Sequence, residues 1–275
     1  MGKFSKKLGH VIGNVAAIFI SLIVIIPLVV LFLNSFKTSA EANKMTLSLP
    51  TEWVFENYAT VIEQGKLVSS FFNGLLYATC SVVVIVVLVS AAAFVISRNQ
   101  KGINKFLYYF IISGIAMPIN NVALMKVMQA FHLVNTRTGI ILLYAAINIP
   151  LSLFLAYGFI STIPREIDEA AVLDGCTPMQ MFVKVIAPLL KPIISTLFVL
   201  NFMAVWNDFT MPLYYLNNSK KWPMTLAVYN FFGAFENSWN LVAADIMLTL
   251  LPVLVVFIIG QKYIVGGVSA GSVKG

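Results

Sequence analysis

The chain has 275 residues, 59% of them hydrophobic and only 11% charged, with a mean hydropathy of +0.89. That composition excludes a water-soluble globule and implies an integral membrane protein. The net charge of +7 is mostly a topology signal, because the Lys and Arg sit in the flanks of apolar runs, and it is no sign of nucleic-acid binding.

Spans of about 20 apolar residues, enough to cross a bilayer, are expected at Val11 to Leu33, Phe71 to Ile96, Phe106 to Met128, Gly139 to Ile160, Ile193 to Leu216 and Leu241 to Gly260. Six spans put both termini on one side. The first begins like a secretory signal, with Lys3, Lys6 and Lys7 before an apolar run. Its core of about 23 residues exceeds the usual 7 to 15, and Thr38-Ser39-Ala40 is a poor cleavage site, so residues 1–70 read as an anchor span plus an external segment. Eleven Lys and Arg flank the spans on the side of the termini and six on the other, with Lys126 inside a span. Positive residues stay cytoplasmic, so the termini are expected in the cytoplasm.

Between the fourth and fifth spans lies a polar insert, residues 161–192. Ile163, Ile167, Ala170 and Ala171 fall on one helical face, and Arg165, Glu166, Asp168 and Glu169 elsewhere. Asp174-Gly175 ends this helix, since glycine takes the left-handed conformation without a Cβ clash. Thr177, Pro178 and Gln180 then form a capping box that starts a second helix, ending near Pro188. The product is a helix-turn-helix knuckle whose two alanines would let another backbone approach. Its net negative first half disfavours both a helix lying on anionic lipid and a DNA-binding element. A protein partner with basic residues is the expected occupant.

Catalysis finds no support. There is no GxxxxGK[ST] phosphate loop, and two histidines, His10 and His132, cannot make an HExxH zinc site. Gly267-Val268-Ser269-Ala270-Gly271 matches a nucleophile elbow in letters only, because no strand precedes it and both histidines do. No catalytic residue, metal or cofactor is expected. Cys80, in a span, and Cys176, in the turn, cannot pair.

The insert resembles the EAA motif of ABC importer permeases: Glu169-Ala170-Ala171, then Gly175, Phe182, Pro188 and Pro192. Further likeness runs through Leu49-Pro50, Trp53, Glu56-Asn57-Tyr58, Trp206-Asn207-Asp208-Phe209 with Pro212, and the terminal Gly266 to Gly275. The tail departs from the TAGAVKG form at Ser269 and Ser272. The whole is similar to the MalG-type, six-span permeases of carbohydrate importers.

That resemblance implies an all-α type I ABC importer transmembrane domain in a bacterial inner or plasma membrane. A permease core over 71–262 would contain the docking loop 161–192, and 263–275 would form a cytoplasmic tail. Its function would be ATP-driven, binding-protein-dependent sugar import, of oligosaccharides in particular. The partners would be a second homologous permease, two cytoplasmic ATPase subunits that bind the ATP, and an external sugar-binding protein. Glu169, Ala170, Ala171, Asp174 and Gly175 would dock the ATPase. Ser269, Gly271 and Lys274 would touch it from the tail, against the plain alternative of a disordered end. Polar groups inside spans are costly and often functional, so Asn120, Asn121, Asn148, Asn207 and Asp208 are candidates for the sugar pathway, with Trp206, Tyr214 and Tyr215 as stacking faces. Helix packing would use the same residue types. A permease for another solute class would share the docking loop, and a secondary carrier would need an ion-coupling constellation or a repeat of spans that the sequence does not display.

Overall fold

A computed structural model describes residues 2–99, 101–231 and 238–272, with side chains over 13–99, 101–231 and 238–262. Its helices are α1 (Gly2–Asn34), α2 (Ser39–Ala42), α3 (Glu56–Gln64), α4 (Leu67–Arg98), α5 (Gly102–Ser113), α6 (Asn121–Ala130), α7 (Arg137–Ile160), α8 (Glu166–Leu173), α9 (Pro178–Gln180), α10 (Ala187–Leu189), α11 (Lys191–Asn207), α12 (Thr210–Tyr215), α13 (Met224–Ala227) and α14 (Trp239–Ser272). A π-helical turn, Met181–Ile186, joins α9 to α10. The described residues include no strand, as expected where lipid offers the backbone no hydrogen bonds and each segment must satisfy its own.

Four described helices are long and apolar enough to cross a membrane: Gly13–Asn34, Leu67–Arg98, Arg137–Ile160 and Trp239–Lys262. A fifth results if Pro178–Leu189 and Lys191–Asn207, bent by 72°, form one span. The expected span from Phe106 to Met128 is not a single helix. It is split into α5 and α6, about 18 and 15 Å long at 1.5 Å per residue. Composition alone hides the break, but Pro118 lacks an N–H and disfavours helical backbone at Met117, and Asn120 restarts the helix by accepting from the N–H groups of Val122 and Ala123.

Two compact units are present. The first comprises residues 1–68 and 227–251. The segment after α1 is organised there around Lys37, which is 1% exposed. Its ammonium donates to Asn34 Oδ1, to the Thr46 carbonyl and to Thr46 Oγ1, so a buried charge is met by oriented oxygens. Asn57 donates to the Ser35 and Lys37 carbonyls and accepts from Asn240. Tyr58 hydrogen-bonds Ser35, and Phe36 gathers the rings of Phe32, Trp53, Phe55 and Tyr58. The Asn57-Tyr58 pair is therefore a structural knot.

The second unit comprises residues 69–226 and 252–275. Its core runs along one face of α4 through Ile85, Val89, Ala93 and Ile96, at helical spacing. It meets Leu153, Ala156 and Ile160 of α7 and a line of Ile186, Leu190, Ile193 and Leu197 that continues across the bend. The helices α11 and α14 approach closely at Gly260, where a Cβ would lie 2.6 and 2.8 Å from the two methyl groups of Val199. Small residues permit such contacts between membrane helices. Gly260→Ala should cost about 1–3 kcal/mol by overpacking and lower the thermal transition of the purified protein, and Val199→Ala in the same chain should restore it. An unchanged transition in the single variant would show that the two helices are free to part there.

Candidate functional site

The insert folds as the spacing of its residues requires. The α8 helix ends in a Schellman turn: Cys176 N–H donates to the Ala171 carbonyl and Gly175 N–H to the Val172 carbonyl, each at 3.0 Å. Gly175 takes a φ of +76° with no neighbouring atom within 4 Å of where a Cβ would stand, so the demand for glycine is conformational, not steric. Two residues later the capping box closes, with Gln180 N–H donating to Thr177 Oγ1 at 3.3 Å and Thr177 N–H to Gln180 Oε1 at 2.9 Å. Both caps are local, so the hairpin sets its own turn.

Of the proposed docking residues, Glu169, Ala170, Asp174 and Gly175 are exposed, whereas Ala171 is buried within the chain. Only Ala170 of the alanine pair faces outward. The tip also carries apolar residues outside the motif: Leu173 is 88% and Met179 70% exposed, beside the exposed acids Glu166, Glu169 and Asp174. The arrangement is an apolar tip in a negative rim, suited to a hydrophobic socket with basic edges.

What fastens this hairpin to the membrane core is Arg98, the last residue of α4. Its Nε lies 2.6 Å from Asp168 Oδ2, with the two side chains only 14% and 16% exposed. A second guanidinium nitrogen donates to Asp168 Oδ1 and to the Ile163 carbonyl. Phe94, one turn earlier, packs its ring 5.4 Å from that of Phe182. Seventy residues separate Arg98 from Asp168, so neither motif nor periodicity marks the pair.

The proposed pathway residues are drawn partly together. Tyr144 links two of them, donating through its hydroxyl to Asp208 Oδ2 at 2.9 Å and accepting at its carbonyl from Asn148. Asp208 also accepts from the backbone N–H groups of Thr210 and Met211, which starts α12. Asn120 is the exposed cap of α6, and the carbonyl of Asn121 accepts from Tyr215. Trp206 is buried, with Phe71 edge-on and Phe202 stacked, each at 5.7 Å. Tyr215 is buried too, so of the three rings only Tyr214 offers an open face, and Asn207 is exposed at the end of α11.

Other intramembrane polar groups are absent from that candidate set. Asn201 and Ser152 bond each other inside the core, and Arg137 holds Asn73 at 3.0 Å. In the first unit, Asp245 is 1% exposed, with no hydrogen-bond partner for Oδ1. Its signal was available: one carboxylate in an otherwise apolar run. At the C-terminus the backbone of α14 remains helical to Ser272, so the chain from 263 to 272 continues the last helix. The side chains of Ser269 and Gly271's surroundings, and Lys274 altogether, lie outside the described residues.

Residues 97–269 match the family described as binding-protein-dependent transport system inner membrane component. Among curated proteins, the chain is 33% identical to the melibiose/raffinose/stachyose import permease protein MelC of Bacillus subtilis, over 91% of each chain. It is 32% identical to the probable starch degradation products transport system permease protein AmyC of Thermoanaerobacterium thermosulfurigenes, over 94% of each. Among solved structures, it aligns with a chain of a bacterial ABC transporter involved in the import of the acidic polysaccharide alginate, with a TM-score of 0.82 and 21% identity, over 96% of this chain and 98% of that one. That likeness supports the fold.

The Arg98 anchor is open to test by limited proteolysis at the exposed Arg165 and Lys184. Losing one partner of a largely buried pair costs about 1–3 kcal/mol, between the values for exposed and fully buried pairs. Arg98→Gln or Asp168→Asn should therefore raise the trypsin cleavage rate by about 5- to 150-fold through local opening, and exchanging the charges, Arg98→Asp with Asp168→Arg, should recover part of the protection. Equal cleavage in all four proteins would remove the anchor.

Proposed function

Because the chain belongs to the family of binding-protein-dependent transport system inner membrane components, and so is a transport permease and no enzyme, we propose that it is half of the translocation pathway of an ATP-driven sugar importer, with oligosaccharides as cargo. The curated relatives carry this specificity: those quoted above are permeases of oligosaccharide and starch-product transport systems. A different solute class would share the hairpin but is not what these relatives transport.

Its partners are a second homologous permease, two ATPase subunits and an external sugar-binding protein. ATP binds the ATPase subunits, consistent with the lack of a phosphate loop here. Both termini and the hairpin face the cytoplasm, a reading supported by the eleven-to-six distribution of Lys and Arg.

The observation that carries the docking role is the joint between hairpin and core. An exposed apolar tip with acidic edges projects outward, while Arg98 ties its base to α4 and the helical run through Leu190 leads into α11. Glu169, Ala170, Ala171, Asp174 and Gly175 form the knuckle. A push on it is delivered to two spans at once, and rigid-body rocking of those spans would switch the cavity between cytoplasmic and external access. ATP and the loaded binding protein drive the switch only through different affinities for its two states. In this reading Asn120, Asn121, Asn148, Trp206, Asn207 and Asp208 line or shape the sugar path, and Ser269, Gly271 and Lys274 extend α14 toward the ATPase pair.

Gly175→Val forces a β-branched residue into left-handed backbone, at roughly 1–2 kcal/mol or more. It should insert and assemble normally yet abolish sugar uptake by reconstituted complexes, and Glu169→Lys should do the same by placing a like charge before a basic socket. Normal transport per ATP hydrolysed in both variants would refute the docking role. A cysteine probe at Glu56 labelled only from inside would reverse the orientation.

A further inference from the structure

A groove of about 440 Å³ opens between the end of α4, α5 and α7, lined by Ile96, Lys105, Tyr108, Tyr109, Phe154 and Tyr157 together with Ile112. Its chemistry is ordered by depth. Along α5 it runs from Lys105 in the first turn, through Tyr108 and Tyr109, to Ile112, a rise of about 10 Å at 1.5 Å per residue. Along α7, which enters the groove from the opposite direction, Phe154 lies deeper and Tyr157 shallower. A cation, then hydroxyl donors, then hydrocarbon match in order the phosphate, the ester carbonyls and the acyl chains of a phospholipid.

The polar groups are unspent. Among the described residues, neither the Lys105 ammonium nor the three phenol hydroxyls hydrogen-bond another residue. The Tyr108 and Tyr157 rings pack 4.2 Å apart, centroid to centroid, which joins α5 to α7 at the level of the two phenols. Nor is the cation answered by nearby sequence: from Gln64 to Arg165 there is no Asp or Glu. Of the carboxylates brought to this end of α4, Asp168 is occupied by Arg98, and Glu166 lines a separate cavity with Ser97 and Arg98.

We infer that this groove is a binding site for an anionic phospholipid, its phosphate held by Lys105 and the phenol hydroxyls and an acyl chain lying along Ile112 and Phe154. Basic pockets between membrane helices on the cytoplasmic side recognise such headgroups, and one Lys near the surface contributes about fivefold in affinity. The inference rests on the membrane orientation proposed above only for the choice of leaflet. Phenols suit the level between headgroup and acyl chain, where one end of the ring is apolar and the other wet.

The test uses the complete complex, expressed with the subunits it assembles with and placed in nanodiscs of phosphatidylcholine containing graded phosphatidylglycerol. Native mass spectrometry counts the lipids retained on this subunit after mild detergent extraction. The wild type should retain phosphatidylglycerol in preference to phosphatidylcholine, Lys105→Gln should weaken that preference about fivefold, and Tyr108→Phe with Tyr157→Phe should weaken it further while keeping the stacked rings. Soluble glycerol phosphate should not compete. Equal retention by wild type and Lys105→Gln would overturn the site, and competition by soluble glycerol phosphate would make it a site for small anions instead. Sugar-stimulated ATP hydrolysis in the same nanodiscs reports separately on the importer reading: its absence at every lipid composition would sink that reading while leaving the lipid count intact.

Discussion

The ion pair between Arg98 and Asp168 is the joint on which the rest of this structure turns. Two charges 2.6 Å apart, each with about a sixth of its side chain exposed, lie where polar insert meets apolar core. Losing either would leave the other charge largely buried and unanswered, a larger penalty than the pair's own net gain. The third contact, to the Ile163 carbonyl, satisfies a backbone oxygen just before α8 and fixes where the hairpin leaves the core. The base of the hairpin is held besides by the Phe94–Phe182 ring contact and by Ile186 and Leu190 in the core. The pair adds the polar contact that ties this base to the end of α4.

The polar groups inside the apolar helices are used for cohesion to a degree that composition does not suggest. Asn201 bonds Ser152, Asn148 bonds a turn of its own helix, and Asp208 accepts both from Tyr144 and from the start of α12. In hydrocarbon each such bond replaces an unsatisfied donor or acceptor, which is why it forms. A group held this way can still meet a solute, but only where its surface is open, as at Asn207 and Tyr214. The aromatic partners of Trp206 give that ring a packing role in this conformation.

What could be read from the sequence was whatever is encoded locally. The caps at Gly175 and Thr177 follow from residues within a few positions of one another, and the long helices α1, α4, α7 and α14 follow from sustained apolar composition. The split between α5 and α6 escaped because hydropathy averages over Pro118 and Asn120, whose effect is on backbone geometry. The Arg98 pair escaped because it closes across seventy residues, and the exposure of Leu173 and Met179 because periodicity assigns apolar residues to an inner face. Asp245, by contrast, is legible in the sequence. Its carboxylate stands in plain view within LVAADIML.

The central claim, that the tip of the hairpin is buried in an ATPase subunit, is tested most directly by a single cysteine at its most exposed position. In a chain carrying Cys80→Ser and Cys176→Ser, Leu173→Cys should react rapidly with a maleimide when the permease is alone, be protected in the assembled complex, and form a disulfide or short cross-link to a cysteine placed in the ATPase surface that covers it. Undiminished maleimide reactivity at that position in a complex that hydrolyses ATP and transports sugar would contradict the account.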